Sequence, residues 1–366
     1  MDQGRSVEGY RLGHDLDRVL AKTAGTWDEF RGARLFLTGA TGFIGSWLLD
    51  SLLWANERLA LGASVVALTR DGGAFSRKEP RLAKHPAVSL HIGDVRDFVF
   101  PAGEFSLVIH GAAGVRGLRS STGALARLDT QIDGTRRVLE CARLCQARKL
   151  LLISSGAVYG EQPPHIAAVP ESHSGAPDPL DPISFYGEGK RAAEQYAAAF
   201  SGEFGLEVKV ARCFSFVGPR LALDSGFAVG DFLRDAVAQR PIRVAGDGTP
   251  LRSFLYAADL AIWLWTILVH GRSCRAYNVG SDEVVSISEL ARMVADSVQP
   301  PVAVEIERRP EHDGRRQRYV PSIERASTEL GLRPWVPLAE ALRRTVQWHE
   351  RETERSVSQE GANEGI

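Results

Sequence analysis

Residues 33–61 read ARLFLTGATGFIGSWLLDSLLWANERLAL. The short apolar run from Ala33 to Thr38 predicts a buried strand, Gly39, Gly42 and Gly45 a tight turn, and Ser46 to Leu61 a helix. Strand, glycine turn and helix open a βαβ unit. Working outward, Ser64–Thr69, Val88–Ile92, Leu107–His110 and Lys149–Ser154 predict further strands, and residues 121–147 carry a helical period. Tyr186–Phe204 then predicts a helix and Glu207–Phe214 a strand. Short apolar runs alternating with helical lengths imply an α/β fold, with a doubly wound, mostly parallel sheet covered on both faces. Glu161 to Ile183 is rich in proline and predicts a long loop; loops beyond about 15 residues inside a compact domain are more often functional than idle. Beyond Pro219 the pieces shorten: a helix over Phe227–Gln239, a strand over Ile242–Val244, a turn at Ala245–Pro250, an extended piece at Phe254–Ala257 and a helix over Asp259–His270.

The chain has 366 residues, 44% hydrophobic and 24% charged, which suits two domains or one core with an attached lobe and excludes a disordered or fibrous chain. Its formal charge of -1 provides no global field for nucleic acid or an anionic membrane. The longest apolar run, LAIWLWTILV at Leu260–Val269, is about half of what a bilayer requires and reads as a buried helix. The first twenty residues carry charges where a secretion signal needs an apolar stretch, and the 4 cysteines are too few for a disulfide scaffold, so a reducing cytoplasm is expected. No His/Cys spacing asks for a metal. Cys141 and Cys145 read as core fillers, His110 as packing, and Trp263 and Trp265 as core or interface.

The three glycines permit close approach of backbone to a pyrophosphate, and the following helix N-terminus offers unpaired N–H groups. That points to a dinucleotide. At the end of the second strand an acidic residue would bind ribose hydroxyls; the chain offers Thr69-Arg70, with Asp71 one place late. Arg70 can fork onto a 2'-phosphate, tilting the choice between NADP and NAD toward NADP. Asp94 is placed to accept from an adenine amino group, or simply to cap its strand. Tyr186 and Lys190 lie four apart on one helix face, and a nearby cation favours the phenolate of a tyrosine that is otherwise a poor base. Ser155 follows a strand and can donate to the same carbonyl or alkoxide oxygen, completing a hydride-transfer site.

Together TGATGFIG (Thr38–Gly45), GDV (Gly93–Val95), HGAA (His110–Ala113), SSGAVYG (Ser154–Gly160), YGEGK (Tyr186–Lys190), RCFSFVGPR (Arg212–Arg220) and GDGTPLRSFLYAADLA (Gly246–Ala261) resemble the extended short-chain dehydrogenase/reductase family, in its nucleotide-sugar epimerase, dehydratase and reductase group. The resemblance runs from about Arg34 to Trp348. It implies a Rossmann-like nucleotide domain over residues 33–215 and a smaller mixed α/β substrate lobe over 216–348, interleaved with it. An extension with a short helix precedes them (1–32) and a flexible charged tail follows (349–366). Cofactor contacts are implied at Gly39, Thr41, Gly42, Phe43, Ile44, Gly45, Arg70, Asp94, Val95, Ala112 and Ala113. Tyr186 is implied as catalytic acid or base, Lys190 as the ribose ligand that lowers its pKa, and Ser155 as the bridge to O4 of the sugar. Ser215, Arg252, Tyr256 and Arg316 or Arg318 are implied as contacts of a nucleotide-diphosphate sugar. A homodimer through the helices near 121–147 and 186–204 is expected.

Where the family's 4,6-dehydratases resemble TDEVYG, with an acid and a base for elimination, this chain has Gly156 and Ala157. Neither moves a proton, which disfavours dehydration and lowers decarboxylation as well. Gln131 and Ser215 replace family asparagines. The sequence therefore favours a 4-ketoreductase of a nucleotide-linked 4-keto-6-deoxyhexose, on the strength of Arg70. A 4-epimerase retaining NAD is the alternative, and a non-catalytic sugar-nucleotide binder a remote one.

Overall fold

The computed structural model describes residues 11–113, 122–224, 226–309 and 316–363. At its centre six strands, β1 (Arg34–Thr38), β2 (Ser64–Thr69), β3 (Val88–Ile92), β4 (Leu107–His110), β5 (Lys149–Ser155) and β6 (Glu207–Cys213), are joined by a seventh, Arg275–Val279. All pair in parallel, in the order Arg275–Val279, β6, β5, β4, β1, β2, β3. The strand order reverses between β1 and β4, whose ends Thr38 and His110 are register partners. Ligands of open α/β sheets bind at such a reversal.

Alternation along β1 divides the core. Leu35 and Leu37 join one apolar cluster with the Phe43–Leu59 and Ala257–His270 helices, while Phe36 joins a second with Val138 and Ala142 of Ala124–Leu144 and with Ala193 and Ala197 of Phe185–Phe204. The chain returns to the large sheet at Arg275 only after threading its lobe. In that lobe Leu251–Ser253 lies between an antiparallel Val284–Ser286 and a parallel Arg318–Tyr319.

The extension is part of the core. Its Leu12–Lys22 helix and Ala24–Phe30 3-10 turn bury Leu16, Val19, Trp27 and Phe30 against the apolar Ala257–His270 helix, where Trp265 lies 5.7 Å from Trp27 and 5.1 Å from Phe30. This cover explains why that helix is apolar nearly all round. At the other end, the expected flexible tail continues as helix from Leu338 to Asn363. Its run of Glu, Arg and Gln consists largely of strong helix formers.

Among the described residues no helix is long and apolar enough to cross a membrane.

Candidate active site

The glycine turn is packed so that side chains would close it. Gly39 has φ +77°, and a Cβ there would meet the Gly111 carbonyl at 2.6 Å; one at Gly45 would meet the Gly39 carbonyl at 2.2 Å. Gly42 occupies the N-cap of the Phe43–Leu59 helix and brings no side chain to its first N–H groups. A bare backbone cradle at a helix N-terminus suits a pyrophosphate. Beside it Ala112 and Ala113 leave β4 half-buried.

His110 binds the turn to the sheet. Thr135 donates to the Gln131 carbonyl (2.5 Å), so its oxygen must accept from His110 Nε2–H (3.1 Å). Nδ1 is then an acceptor for the Thr38 hydroxyl (2.8 Å), whose oxygen in turn accepts from Gly111 N–H (3.2 Å) and Ala112 N–H (3.1 Å). The ring is fully committed as a neutral imidazole, and burial pushes it down to about 3.

At the adenosine end, Arg70 is exposed, whereas the Asp71 carboxylate accepts from Ala74 N–H (2.8 Å) and caps the Gly72–Lys78 helix. Asp94 is forked by Arg96 at 2.8 and 3.2 Å, which holds its carboxyl below the ordinary range. Val95 is buried against Gly134, so its backbone is what it can offer a nucleotide.

Ser155 ends β5 and accepts from Ala157 N–H at 3.1 Å. Its hydroxyl also serves Tyr186, whose ring is half-buried with the phenol end enclosed. Burial pushes Tyr186 up to about 12, and the Ser155 hydrogen bond opposes it. Lys190 Nζ donates to the Ile153 carbonyl (2.7 Å), and burial lowers it to about 8. One turn further, Glu194 accepts from Ser154 (2.5 Å) and from the Arg212 fork, which also donates to Tyr159 (2.9 Å); Tyr159 donates to Asn278 (2.7 Å). This network registers the Phe185–Phe204 helix on β5 and β6. Gln131, 1% exposed, packs against Gly189, and its side-chain amide has no hydrogen-bond partner among the described residues.

Sequence reasoning missed Tyr319. Its hydroxyl lies 3.4 Å from Ser155 Oγ, its ring 4.7 Å from that of Phe214, and burial raises its pKa. Arg252 is the Cα partner of Tyr319 and donates to the Leu251 carbonyl at 2.8 Å. Arg318 sits beside it opposite Leu251, Arg316 is exposed near Asp247 and Glu289, and Ser215 is half-buried. Tyr256 is a correction: it is fully buried, with its hydroxyl donating to Asp15 of the extension, and therefore belongs to the core. Asp15 also pairs with Arg344 at 2.6 Å.

The sequence profile of the NAD dependent epimerase/dehydratase family matches residues 35–280. UDP-glucuronic acid decarboxylase 6 of Arabidopsis thaliana is 30% identical over 84% of this chain and 86% of its own length. Among solved structures, an epimerase from Methanothermobacter thermautotrophicus superposes with a TM-score of 0.77 at 23% identity, covering 92% of this chain and 97% of that one. A UDP-galactose 4-epimerase gives 0.69 at 26% identity, covering 87% and 99%.

Proposed function

Because the chain belongs to the NAD dependent epimerase/dehydratase family, whose activity is dinucleotide-dependent chemistry on nucleotide sugars, we propose that it is a 4-epimerase of a nucleotide-diphosphate hexose. The observation that carries this reading is the meeting of Ser155 and Tyr186 at the end of β5, one turn from Lys190, beside a Gly156-Ala157 pair that moves no proton. Such a site oxidises and reduces at C4 and leaves elimination without its acid and base. A bound dinucleotide supplies the hydride acceptor and donor. In the first half-reaction the C4–H bond breaks with its electron pair while Tyr186 takes the O4 proton. The ketone then turns, C4 regains hydride on its other face, and Tyr186 returns the proton to O4. No net oxidation results. Ser155 steadies the oxygen in both halves. With a phenol at about 12, Tyr186 rests as the donor, and charge brought by the cofactor and Lys190 must lower it for the oxidising half.

A second reading, a 4-ketoreductase using NADPH on a nucleotide-linked 4-keto-6-deoxyhexose, is supported by Arg70 standing exposed while Asp71 serves as a helix cap. Decarboxylation, named for the Arabidopsis relative, lacks the motif acid at Gly156 and Ala157. Native mass spectrometry of the purified protein, followed by denaturation, separates the first two. Stoichiometric retained NAD, with C4 inversion of an offered UDP-hexose, supports the epimerase. An empty site that prefers NADPH and reduces the keto-sugar overturns it in favour of the reductase. The reading includes a homodimer through Ala124–Leu144 and Phe185–Phe204, which sedimentation tests.

A further inference from the structure

The helix whose N-terminus forms the nucleotide cradle is held from behind by a buried cluster of charges. Asp50, further along the Phe43–Leu59 helix, is fully buried and pairs with Arg81 and with Arg220. The Arg220 side chain is 6% exposed, and its Nη2 reaches Glu79 at 3.3 Å. Two carboxylates thus face two guanidiniums, and the cluster is balanced in charge. Burial raises the Glu79 carboxyl above its ordinary range, and Arg220 opposes that rise. Arg220 Nη1 also donates to the Ser46 carbonyl at 3.4 Å, near the start of the same helix, and the guanidinium lies 5.8 Å from the centre of the Trp348 ring. Its neighbour Pro219 offers a carbonyl to Trp47 Nε1–H at 3.0 Å. Ser46, Trp47 and Asp50 are therefore all gripped by residues 219 and 220.

Arg220 reaches this position in a left-handed conformation, φ +70°, which a non-glycine residue keeps only where its surroundings impose it. It ends a run that begins at the reaction site. Cys213 is the Cα partner of Ser155, Phe214 N–H donates to the Val279 carbonyl at 3.0 Å, and Phe216–Val217 pairs with Leu255–Tyr256 of the lobe. Gly218 and Pro219 then lead directly to Arg220. We propose that Arg220 is a positioning residue for the dinucleotide: it fixes the cradle helix against the segment beside Ser155, so that the pyrophosphate cradle and the reaction site stand in one fixed relation. A cofactor anchored at one end and reacting at the other depends on that relation, and small misplacements are costly. The role is independent of which C4 reaction follows, since both readings above use a dinucleotide.

The test separates positioning from stability. Removing one member of a buried ion pair leaves its partner uncompensated, whereas removing both restores the balance. The comparison covers wild type, Arg220→Lys, Arg220→Met and the double variant Asp50→Asn/Arg220→Met, each freed of resident dinucleotide. Binding of NADH and NADPH is read by cofactor fluorescence, binding of UDP by calorimetry, and stability by urea titration. Arg220→Met should lose stability and bind the preferred dinucleotide about tenfold more weakly. The double variant leaves Glu79 and Arg81 as a balanced pair, so it should regain stability. Its dinucleotide affinity should nonetheless stay about tenfold below wild type, with UDP within about twofold. Arg220→Lys keeps the charge but not the fork, and should recover part of the affinity. A folded double variant that binds dinucleotide like the wild type overturns the role, and so does an equal loss of dinucleotide and UDP affinity. Where Arg220→Met does not fold, the double variant decides. A wild type without C4 inversion, with the dinucleotide differences intact, refutes the epimerase reading and leaves the role of Arg220 standing.

Discussion

Replacing Gly156 by alanine asks whether Phe214 really fills the position of the missing acid. The new Cβ would stand 2.6, 2.7 and 2.8 Å from three ring atoms, whereas carbon atoms rest about 3.5–4.0 Å apart. The ring has little room to retreat, with Tyr319 at 4.7 Å and Tyr159 at 6.3 Å between centroids. Gly156 is not at positive φ, so alanine adds no backbone strain and the steric cost stands alone. Overpacking of this kind costs about 1–3 kcal/mol. Urea denaturation of Gly156→Ala, Phe214→Leu and the double variant measures it. The single change should cost that amount, and the smaller Phe214→Leu side chain should relieve part of it, giving a coupling of about 0.5–3 kcal/mol. A Gly156→Ala protein within about 0.5 kcal/mol of wild type, or costs that simply add, would refute the argument. The same strain should push Phe214 against Tyr319, 4.7 Å away between centroids. Gly156→Asp should gain no dehydratase activity.

Arg70→Ala should weaken NADPH binding by about tenfold, at the low end for a charge-assisted hydrogen bond, and leave NADH within twofold; equal effects on both would remove Arg70 from cofactor choice. Trp27→Ala should cost about 3–5 kcal/mol of stability with kcat unchanged, since Trp27 is 1% exposed and packs on Trp265 far along the chain from the reaction site; a loss below about 1 kcal/mol in a denaturant titration would show the extension to be peripheral. His110 takes up a proton at about 6.5 when unfolded and only near 3 when folded, so the unfolded state binds more protons in between and stability falls as pH drops through that window. The slope is at most about 1.4 kcal/mol per pH unit for one group, and the difference between wild type and His110→Gln should show it between pH 6 and 4; parallel curves for the two proteins would count against a neutral buried ring.

The large sheet was legible because its strands are buried on both faces and so appear as unbroken apolar runs between helical lengths. The lobe was less so: strands of two or three residues, such as Leu255–Tyr256, have no room for a period, and Gly72–Lys78 begins on two poor helix formers and owes its start to the Asp71 cap. The Ser155, Tyr186 and Lys190 set could be found because its spacing is local to one strand end and one helix face. Tyr256 and Tyr319 could not be told apart that way. What separates them is a partner 241 residues away in one case and 164 in the other.

That contrast shows how structural and reactive polar groups differ in this fold. Tyr256, Tyr159, His110 and Asp71 have their polar atoms taken up by other parts of the protein: an aspartate of the extension, an arginine and an asparagine, two threonines, a backbone N–H. Each would lose a formed bond by turning to a ligand, and for the buried Tyr256, Tyr159 and His110 leaving a partner unsatisfied costs about 1–3 kcal/mol. The hydroxyls of Ser155, Tyr186 and Tyr319 instead look chiefly to one another, with the one long contact at 3.4 Å. A sugar hydroxyl can replace that contact at little cost. The arrangement therefore places the easily exchanged bonds where the end of β5, the 161–183 loop and the lobe converge, beside polar groups that are already fixed.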